Sequence, residues 1–214
     1  MENRNAENIK SLLSKESASL FLFLLWPFMG FLLALRNFHQ KSSRIVVLMF
    51  FVVYGFTIVS DRIGSDLYAN LNTFKLYVFE PDSFLITLLT GLFQENGTLD
   101  IIQKLIVFFV SRLTDDARYL FAVYSLILGF VYLKCTTLYK KYLNNKNPNS
   151  WIMLFFMTLI VPITSIGNFR FFSAIWIFFI GAFLVIYSKK YIYILVCFIS
   201  VLMHFGLLAA NLLL

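Results

Sequence analysis

The sequence is short of charged residues and of cysteine, and each shortage excludes a class of protein. Charged side chains make up 14% of the 214 residues and hydrophobic ones 60%, whereas soluble domains have about 25% charged residues. This composition excludes a water-soluble monomer, and the 26 Phe and 11 Tyr residues exclude a disordered chain. Cys135 and Cys197 are the only cysteines, and both lie in apolar stretches. Neither a disulfide framework nor a thiolate metal site is therefore predicted.

Motifs of soluble enzymes are missing as well. The chain has no Ser-His-Asp triad signature, Walker-type phosphate loop, HExxH sequence or glycine-rich dinucleotide fingerprint. Its net charge is +7, but no basic tract is long enough to favour nucleic acid, and basic residues also flank membrane spans. We therefore expect no bound metal, no cofactor and no nucleic-acid partner.

The hydrophobic residues are gathered in long runs. A helix needs about 20 apolar residues to cross roughly 30 Å of hydrocarbon. Pro27 and Pro162 lie inside such runs, where proline kinks a membrane helix but is tolerated. The sequence predicts an all-α, multi-pass transmembrane helix bundle that forms one domain over residues 1–214. Its six firm spans are Ala18 to Leu35, Ile45 to Ser60, Tyr119 to Leu138, Trp151 to Ile166, Phe171 to Ser188, and Tyr191 onward.

A different region, Asp61 to Arg118, separates the second span from the third. Within it, Ser83 to Phe93 and Ile101 to Val110 are apolar but only about ten or eleven residues long, which is typical of interfacial or re-entrant helices. Asp82-Ser83 and Thr98-Leu99-Asp100 are placed to cap their N-termini. The topology elsewhere is the same whether both short helices cross the membrane or neither does.

Basic residues set the expected orientation, because Lys and Arg concentrate in cytoplasmic loops. If three short basic loops are cytoplasmic, the N-terminus, the Asp61 to Arg118 region and the Ser165 to Arg170 turn are external. All 11 acidic residues then lie outside as well, provided that the short helices do not cross. The cytoplasmic bases are Arg36, Lys41, Arg44, Lys134, Lys140, Lys141, Lys146, Lys189 and Lys190.

Two polar residues at the outer ends of spans are candidates for chemistry. Arg170 closes the turn that begins at Gly167, where a guanidinium can bind a phosphate with two hydrogen bonds or anchor in lipid headgroups. His204 is the only histidine within a span, and Ser200, His204 and Asn211 have the spacing of one helical face. Its imidazole can transfer a proton or bind an anion, or it can be satisfied structurally by a neighbouring helix.

The segment Asp61 to Tyr68 places two carboxylates, a guanidinium and a phenol immediately after the second span. Such groups can hold sugar hydroxyls or a divalent cation, although the spacing is not specific for a metal. A charged loop that caps a helix end is the alternative interpretation.

The order of these features resembles the EpsG family of Wzy-type bacterial polysaccharide polymerases. Arg62, Gly64, Asp66 and Tyr68 follow the second span, Arg170 and Ala174 open a later span, and His204 lies downstream. The match departs from the family pattern in its short Asn-x-Arg spacing and in Phe171, which stands where a polar residue is common. The resemblance implies Arg170, His204 and Asp66 as catalytic residues and Arg62, Tyr68 and Asn168 as substrate-binding residues.

The resemblance also implies a reaction and a location. A growing glycan would pass from a polyprenyl diphosphate carrier to another carrier-linked repeat during capsular, O-antigen or exopolysaccharide synthesis. The partners would be polyprenyl-diphosphate-linked oligosaccharide, the lipid bilayer and other polysaccharide-assembly proteins of the bacterial inner membrane. Family members continue for several further spans, so we expect an N-terminal portion or a truncated member. A membrane acyltransferase that uses His204 as base, and a non-enzymatic transport or flippase component, remain open as alternatives.

Overall fold

The computed structural model describes residues 18–58, 66–80, 82–86, 89, 100–142, 152 and 168–213. All regular structure in these ranges is helical, which confirms the predicted all-α class. Short 3₁₀ segments at Tyr191–Tyr193 and Phe205–Leu207 precede the last two helices. The helices are α1 (18–25), α2 (Pro27–Arg36), α3 (Lys41–Phe56), α4 (Asp66–Phe79), α5 (Ile101–Ser111), α6 (Ala117–Tyr142), α7 (Phe169–Ser188), α8 (Ile194–Met203) and α9 (Leu208–Leu212).

Two of the described helices are long and apolar enough to cross a membrane. They are the Ala117–Lys141 part of α6, with 25 residues, and α7, with 20 residues. The predicted second span corresponds to α3, which has only 16 residues. The predicted fourth span lies outside the described residues except for Ile152. The described ranges therefore support two of the six predicted spans by length and composition.

The predicted first span is divided into two helices. Trp26 has an extended backbone with φ −150° and ψ 93°, and α2 begins at Pro27. Proline suits the first position of a helix, where its missing N–H would have no partner in the helix. A Cβ at Gly30 would lie 2.4 Å from the Cα of Phe23, so the two helices approach each other closely. Pro27 thus begins a new helix, whereas the sequence suggested a kink within one span.

The predicted last span is also interrupted. Helix α8 ends at Met203, and His204 has an extended backbone with φ −152° and ψ 109°. Ser200, His204 and Asn211 therefore do not share one continuous helical face, as their spacing predicted. Asn211 still donates a 3.2 Å hydrogen bond from Nδ2 to Oγ of Ser200, because the chain continues as a short helical segment after the break.

Helix α3 packs against α6 in the opposite direction. The ring of Phe56 contacts Tyr119 near the start of α6, with centroids 5.3 Å apart. A Cβ at Gly55 would lie 2.3 Å from Oγ of Ser125, so glycine permits this close approach of the two helices. Closely packed helices with a small residue at the contact are common in membrane bundles.

Helix α7 runs in the same direction as α6. Near its start, Phe169 stacks on Tyr124 with a centroid distance of 4.1 Å and an interplanar angle of 7°. Further along, Trp176 and Tyr132 line the same small cavity. The beginnings of α6 and α7 therefore lie at one end of the bundle.

Basic residues meet at the opposite end. Nε of Arg44 donates a 3.2 Å hydrogen bond to the carbonyl of Phe38, and Nζ of Lys140 lies 5.1 Å from the Phe38 ring centroid. His39 lies in the same group, where the charge of Lys140, burial and the charge of Arg44 lower its pKa. Two of the predicted cytoplasmic loops, which are remote in sequence, thus come together in the fold.

Helices α4 and α5 pack together beside the start of α6. Phe84 stacks on Phe108 of α5 with centroids 4.2 Å apart, and Arg112 donates a hydrogen bond to the carbonyl of Tyr77. Helix α5 agrees closely with the predicted Ile101 to Val110 segment, whereas α4 was not predicted. Of the predicted Ser83 to Phe93 helix, residues 83–86 are described and helical, and most of the rest lies outside the described ranges.

Candidate functional site

Asp100 lies at the centre of the candidate site. Nη1 of Arg170 in α7 donates a 2.7 Å hydrogen bond to its Oδ2. Its Oδ1 accepts a 3.3 Å hydrogen bond from the backbone N–H of Phe205. The Asp100 side chain is 5% exposed and that of Arg170 is 30% exposed. One buried carboxylate thus connects the start of α5 to the start of α7 and to the break after α8.

Asp100 was interpreted from sequence only as a helix cap. It does precede α5, but its side chain makes no capping hydrogen bond. A buried carboxylate needs strong donors to replace the water that it loses, and a guanidinium supplies a charged one. The helix break at His204 supplies another donor, because the N–H of Phe205 lies in the first turn of a new helical segment. These remote donors replace the local cap.

The imidazole of His204 lies beside the same carboxylate. Its Nδ1 is 3.6 Å from Oδ1 of Asp100, just beyond hydrogen-bonding distance, and this buried nitrogen makes no hydrogen bond with any residue that the structure describes. The ring meets Phe171 edge to face, with centroids 5.6 Å apart. Phe171, which departs from the family pattern, therefore packs against the histidine and helps to fix the plane of its ring.

A cavity of about 290 Å³ opens on the other side of Arg170. Asp66, Asn70 and Thr73 have i, i+4, i+7 spacing on α4, so they form one polar face. That face lies opposite two polar residues of α5, and Nε2 of Gln103 donates a 2.5 Å hydrogen bond to Oδ1 of Asn70. The lining residues are Asp66, Ala69, Asn70, Thr73, Gln103, Lys104, Val107 and Arg170; His204 is not one of them.

Charged side chains of both signs surround this cavity, and its two cations are the groups that could bind an anion. Burial lowers the pKa of Lys104, and the nearby negative charge of Asp100 opposes this effect. Nη2 of Arg170 lies 3.9 Å from Oδ2 of Asp66, so the guanidinium faces carboxylates on two sides. Two cations and two side-chain amides line the cavity, whereas Asp66 is the only acidic residue among its lining residues. The arrangement can bind a phosphate group together with neighbouring hydroxyl groups.

Tyr68 and Asn168, two other predicted site residues, are not among the residues that line the cavity. Tyr68 lies in the first turn of α4 and is half-buried. Asn168 is exposed and directly precedes α7, where its side chain makes no capping hydrogen bond. Arg62 lies outside the described residues. The structure thus brings Arg170, Asp66 and His204 to one site, with Asp100 between the arginine and the histidine.

Sequence reasoning missed Asp100, Lys104, Asn70 and Gln103 as site residues. A usable signal was present in α5, because Asp100, Gln103 and Lys104 have i, i+3, i+4 spacing in an otherwise apolar segment. A similar signal in α4 was missed because that segment was interpreted as part of an irregular external region. Among the described residues, no group of three or more His, Cys, Asp or Glu side chains is placed to hold a metal ion.

The fold and the site together define an all-helical chain with helices suited to a membrane and a polar site at one end of its bundle. The chain matches no protein-family model, no curated protein and no solved structure. Its function must therefore be argued from the geometry of the site and the resemblance in its sequence.

Proposed function

We propose that this chain is a multi-pass membrane glycan polymerase of the EpsG type. It would transfer polyprenyl-diphosphate-linked oligosaccharide repeats on the external face of the bacterial inner membrane. The observation that carries the proposal is the meeting of four residues: Arg170 and His204 both lie against the buried carboxylate of Asp100, and Asp66 contacts the same Arg170. These residues come from four separate segments, so sequence proximity does not account for their meeting.

The distribution of apolar side chains supports a membrane location. Phe79, Leu85 and Phe109 in the α4 and α5 region are between 61% and 81% exposed. Large exposed apolar surfaces of this kind are typical of membrane or protein contacts. Polar residues of α4 and α5 line the cavity, whereas Phe79, Leu85 and Phe109 are not among its lining residues. Such an arrangement suits a pair of helices that lie at the lipid interface.

The basic residues at one end of the bundle support the proposed orientation. Arg44 and Lys140 meet at one end of α3 and α6, whereas Asp66 and Asp100 lie beside the start of α7. A cytoplasmic basic end would agree with the distribution of Lys and Arg in membrane proteins. The site would then face the external side, where carrier-linked repeats are polymerised in the reaction that the resemblance implies.

The donor would bind through its diphosphate. Arg170 can bind phosphate oxygens with its planar fork, and Lys104 adds a second cation on the same cavity. Both would stabilise the negative charge that develops on the leaving diphosphate. Asn70, Thr73 and Gln103 could hydrogen-bond the sugar that is attached to it, since sugar hydroxyls both donate and accept.

The acceptor would react on the His204 side of Asp100. Its hydroxyl oxygen would form a bond to the anomeric carbon of the donor sugar while the bond from that carbon to the diphosphate oxygen breaks. The diphosphate leaves with the electron pair of that bond, and the hydroxyl proton passes to Nε2 of His204. Asp66 borders the cavity on the donor side, where it would orient Arg170 through their 3.9 Å contact.

The experiment compares the two histidines of the chain in cells whose polymer depends on the full-length protein. We expect His204→Ala to accumulate single repeat units and to lose long polymer at normal membrane abundance. His39→Ala is the matched control, because His39 lies with the basic residues at the opposite end and should leave the polymer length unchanged. Normal polymer from His204→Ala would exclude this mechanism. Dependence of the product on an acyl donor would favour an acyltransferase instead.

A further inference from the structure

The two carboxylate oxygens of Asp100 accept hydrogen bonds of different lengths. Oδ2 accepts the 2.7 Å hydrogen bond from Arg170, while Oδ1 accepts a longer bond of 3.3 Å from the N–H of Phe205. Nδ1 of His204 lies 3.6 Å from that same Oδ1 and makes no hydrogen bond within the described part of the chain. A shift of a few tenths of an ångström would therefore join the histidine to the carboxylate.

Arg170 lies between the buried carboxylate of Asp100 and the cavity. Its guanidinium contacts Asp100 on the buried side, yet it also lines the cavity that contains Lys104 and Asp66. A phosphate group in that cavity would compete with Asp100 for the same planar set of donors. If the guanidinium turns toward the phosphate, Asp100 loses its strongest partner while it remains buried.

A buried carboxylate that loses a charged donor is unstable unless another donor replaces it. One candidate is Nδ1 of His204, which lies 3.6 Å from Oδ1 and can donate when it carries a proton; the N–H of Phe205 is already used. Edge-to-face packing against Phe171 holds the ring in the required neighbourhood. In a neutral imidazole whose proton is on Nδ1, that N–H can donate a hydrogen bond to a carboxylate. Nε2 is then unprotonated and can act as a base.

We propose that Asp100 is a positioning residue that couples anion binding at Arg170 to the orientation of His204. Binding of a diphosphate in the cavity draws Arg170 away from Asp100, and the freed carboxylate then accepts a hydrogen bond from Nδ1–H of His204. The inference rests on the proposed function for the identity of the anion. It implies that the histidine becomes an oriented base only after the donor has bound, so that an acceptor is not deprotonated in an empty site.

The test observes the imidazole nitrogens directly by nitrogen NMR. The chain has two histidines, so a His39→Gln variant labelled with ¹⁵N-histidine reports His204 alone. Inorganic pyrophosphate is the probe, and isothermal titration calorimetry measures its binding separately. We expect pyrophosphate to move the Nδ1 resonance upfield, toward the position of a protonated nitrogen. The Nε2 resonance should move downfield, toward the position of an unprotonated one. Circular dichroism checks that each variant keeps its helical content.

Two variants in this single-histidine background separate positioning from general stability. In Arg170→Gln, we expect His204 resonances like those of the pyrophosphate-bound protein even without pyrophosphate, because the charged guanidinium no longer competes for Asp100. In Asp100→Asn, we expect the response to pyrophosphate to disappear. Asp116→Asn is the control, since its carboxylate pairs with Arg118 in an exposed loop, and it should keep the full response.

The outcomes distinguish the inference from the proposed function. If pyrophosphate binds but the His204 resonances stay unchanged, the coupling is overturned and the diphosphate site stands. If pyrophosphate does not bind, the diphosphate site is overturned and the coupling with it. An unaltered free-state spectrum in Arg170→Gln would overturn the coupling even if Asp100→Asn does not fold.

Discussion

Arg170 and Asp100, which are 70 positions apart in the sequence, form a 2.7 Å ion pair at the point where α5 and α7 begin. The carboxylate is almost completely buried, whereas the guanidinium is partly open to the cavity. The pair therefore differs from a surface salt bridge, because the buried carboxylate cannot be hydrated when the guanidinium moves away.

Replacing Arg170 by Lys tests whether charge alone is sufficient at the cavity. We expect a loss of polymer formation of about tenfold or more, which corresponds to about 1.4 kcal/mol, because an ammonium cannot reproduce the planar fork. Polymer length in cells measures the loss, with membrane abundance measured alongside. Arg118→Lys is the control, since Arg118 pairs with Asp116 in an exposed setting. A normal polymer from Arg170→Lys would favour a headgroup anchor.

Replacing Asp100 by Ala should destabilise the fold. The change leaves the guanidinium of Arg170 and the N–H of Phe205 without their acceptor, and we expect a cost of about 2 kcal/mol in the free energy of unfolding. Thermal unfolding in detergent, followed by circular dichroism, measures it. Asp115→Ala removes an exposed carboxylate from the turn before α6 and should leave the midpoint unchanged. Equal midpoints for both variants would contradict the central structural role of Asp100.

The proposed orientation can be tested with single cysteines on a background of Cys135→Ala and Cys197→Ala. Leu113 and Tyr191 are suitable positions, because they are uncharged and 86% and 80% exposed. In intact cells we expect an impermeant thiol reagent to label Leu113→Cys, which lies near the carboxylate end. Tyr191→Cys, next to Lys190, should react only after the membrane is opened. The reverse pattern would show that the basic loops face outward.

The contact between α3 and α6 should not tolerate a larger residue than glycine at position 55. A Cβ there would lie 2.3 Å from Oγ of Ser125 and 2.5 Å from the carbonyl oxygen of Phe121. We therefore expect Gly55→Leu to lower the free energy of unfolding by about 1–3 kcal/mol. Val53→Leu on the more exposed side of the same helix is the control. An unfolding midpoint for Gly55→Leu that equals the control value would mean that the helices separate without cost.

Local sequence patterns predicted some elements well. The apolar run at Ile101 to Val110 corresponds to α5 within one residue, and the run at Phe171 to Ser188 corresponds to α7 within two. Composition and length are sufficient for such elements because helix formation depends mainly on nearby residues. The same reasoning was wrong about continuity, since hydropathy does not detect the breaks at Trp26 and His204.

Helix α4 shows a different limit of sequence reasoning. Its residues mix charged and apolar side chains, so no long hydrophobic run marks the segment from Asp66 to Phe79. The polar face of α4 forms a cavity only together with Gln103 and Lys104 on the opposing face of α5. The helix was therefore missed together with Asn70 and Thr73, which line the cavity.

The sequence by itself determined that this chain forms apolar helices and that none of its 11 acidic residues lies in the three basic loops predicted to be cytoplasmic. These properties depend on the composition and residue spacing of each segment, independently of the other segments. Only the tertiary structure decided which partners Asp100 takes. The Asp100 carboxylate could have capped α5 by accepting a hydrogen bond from a backbone N–H of its first turn. Burial favours stronger donors instead, and these come from Arg170 and Phe205 in segments that only folding brings close.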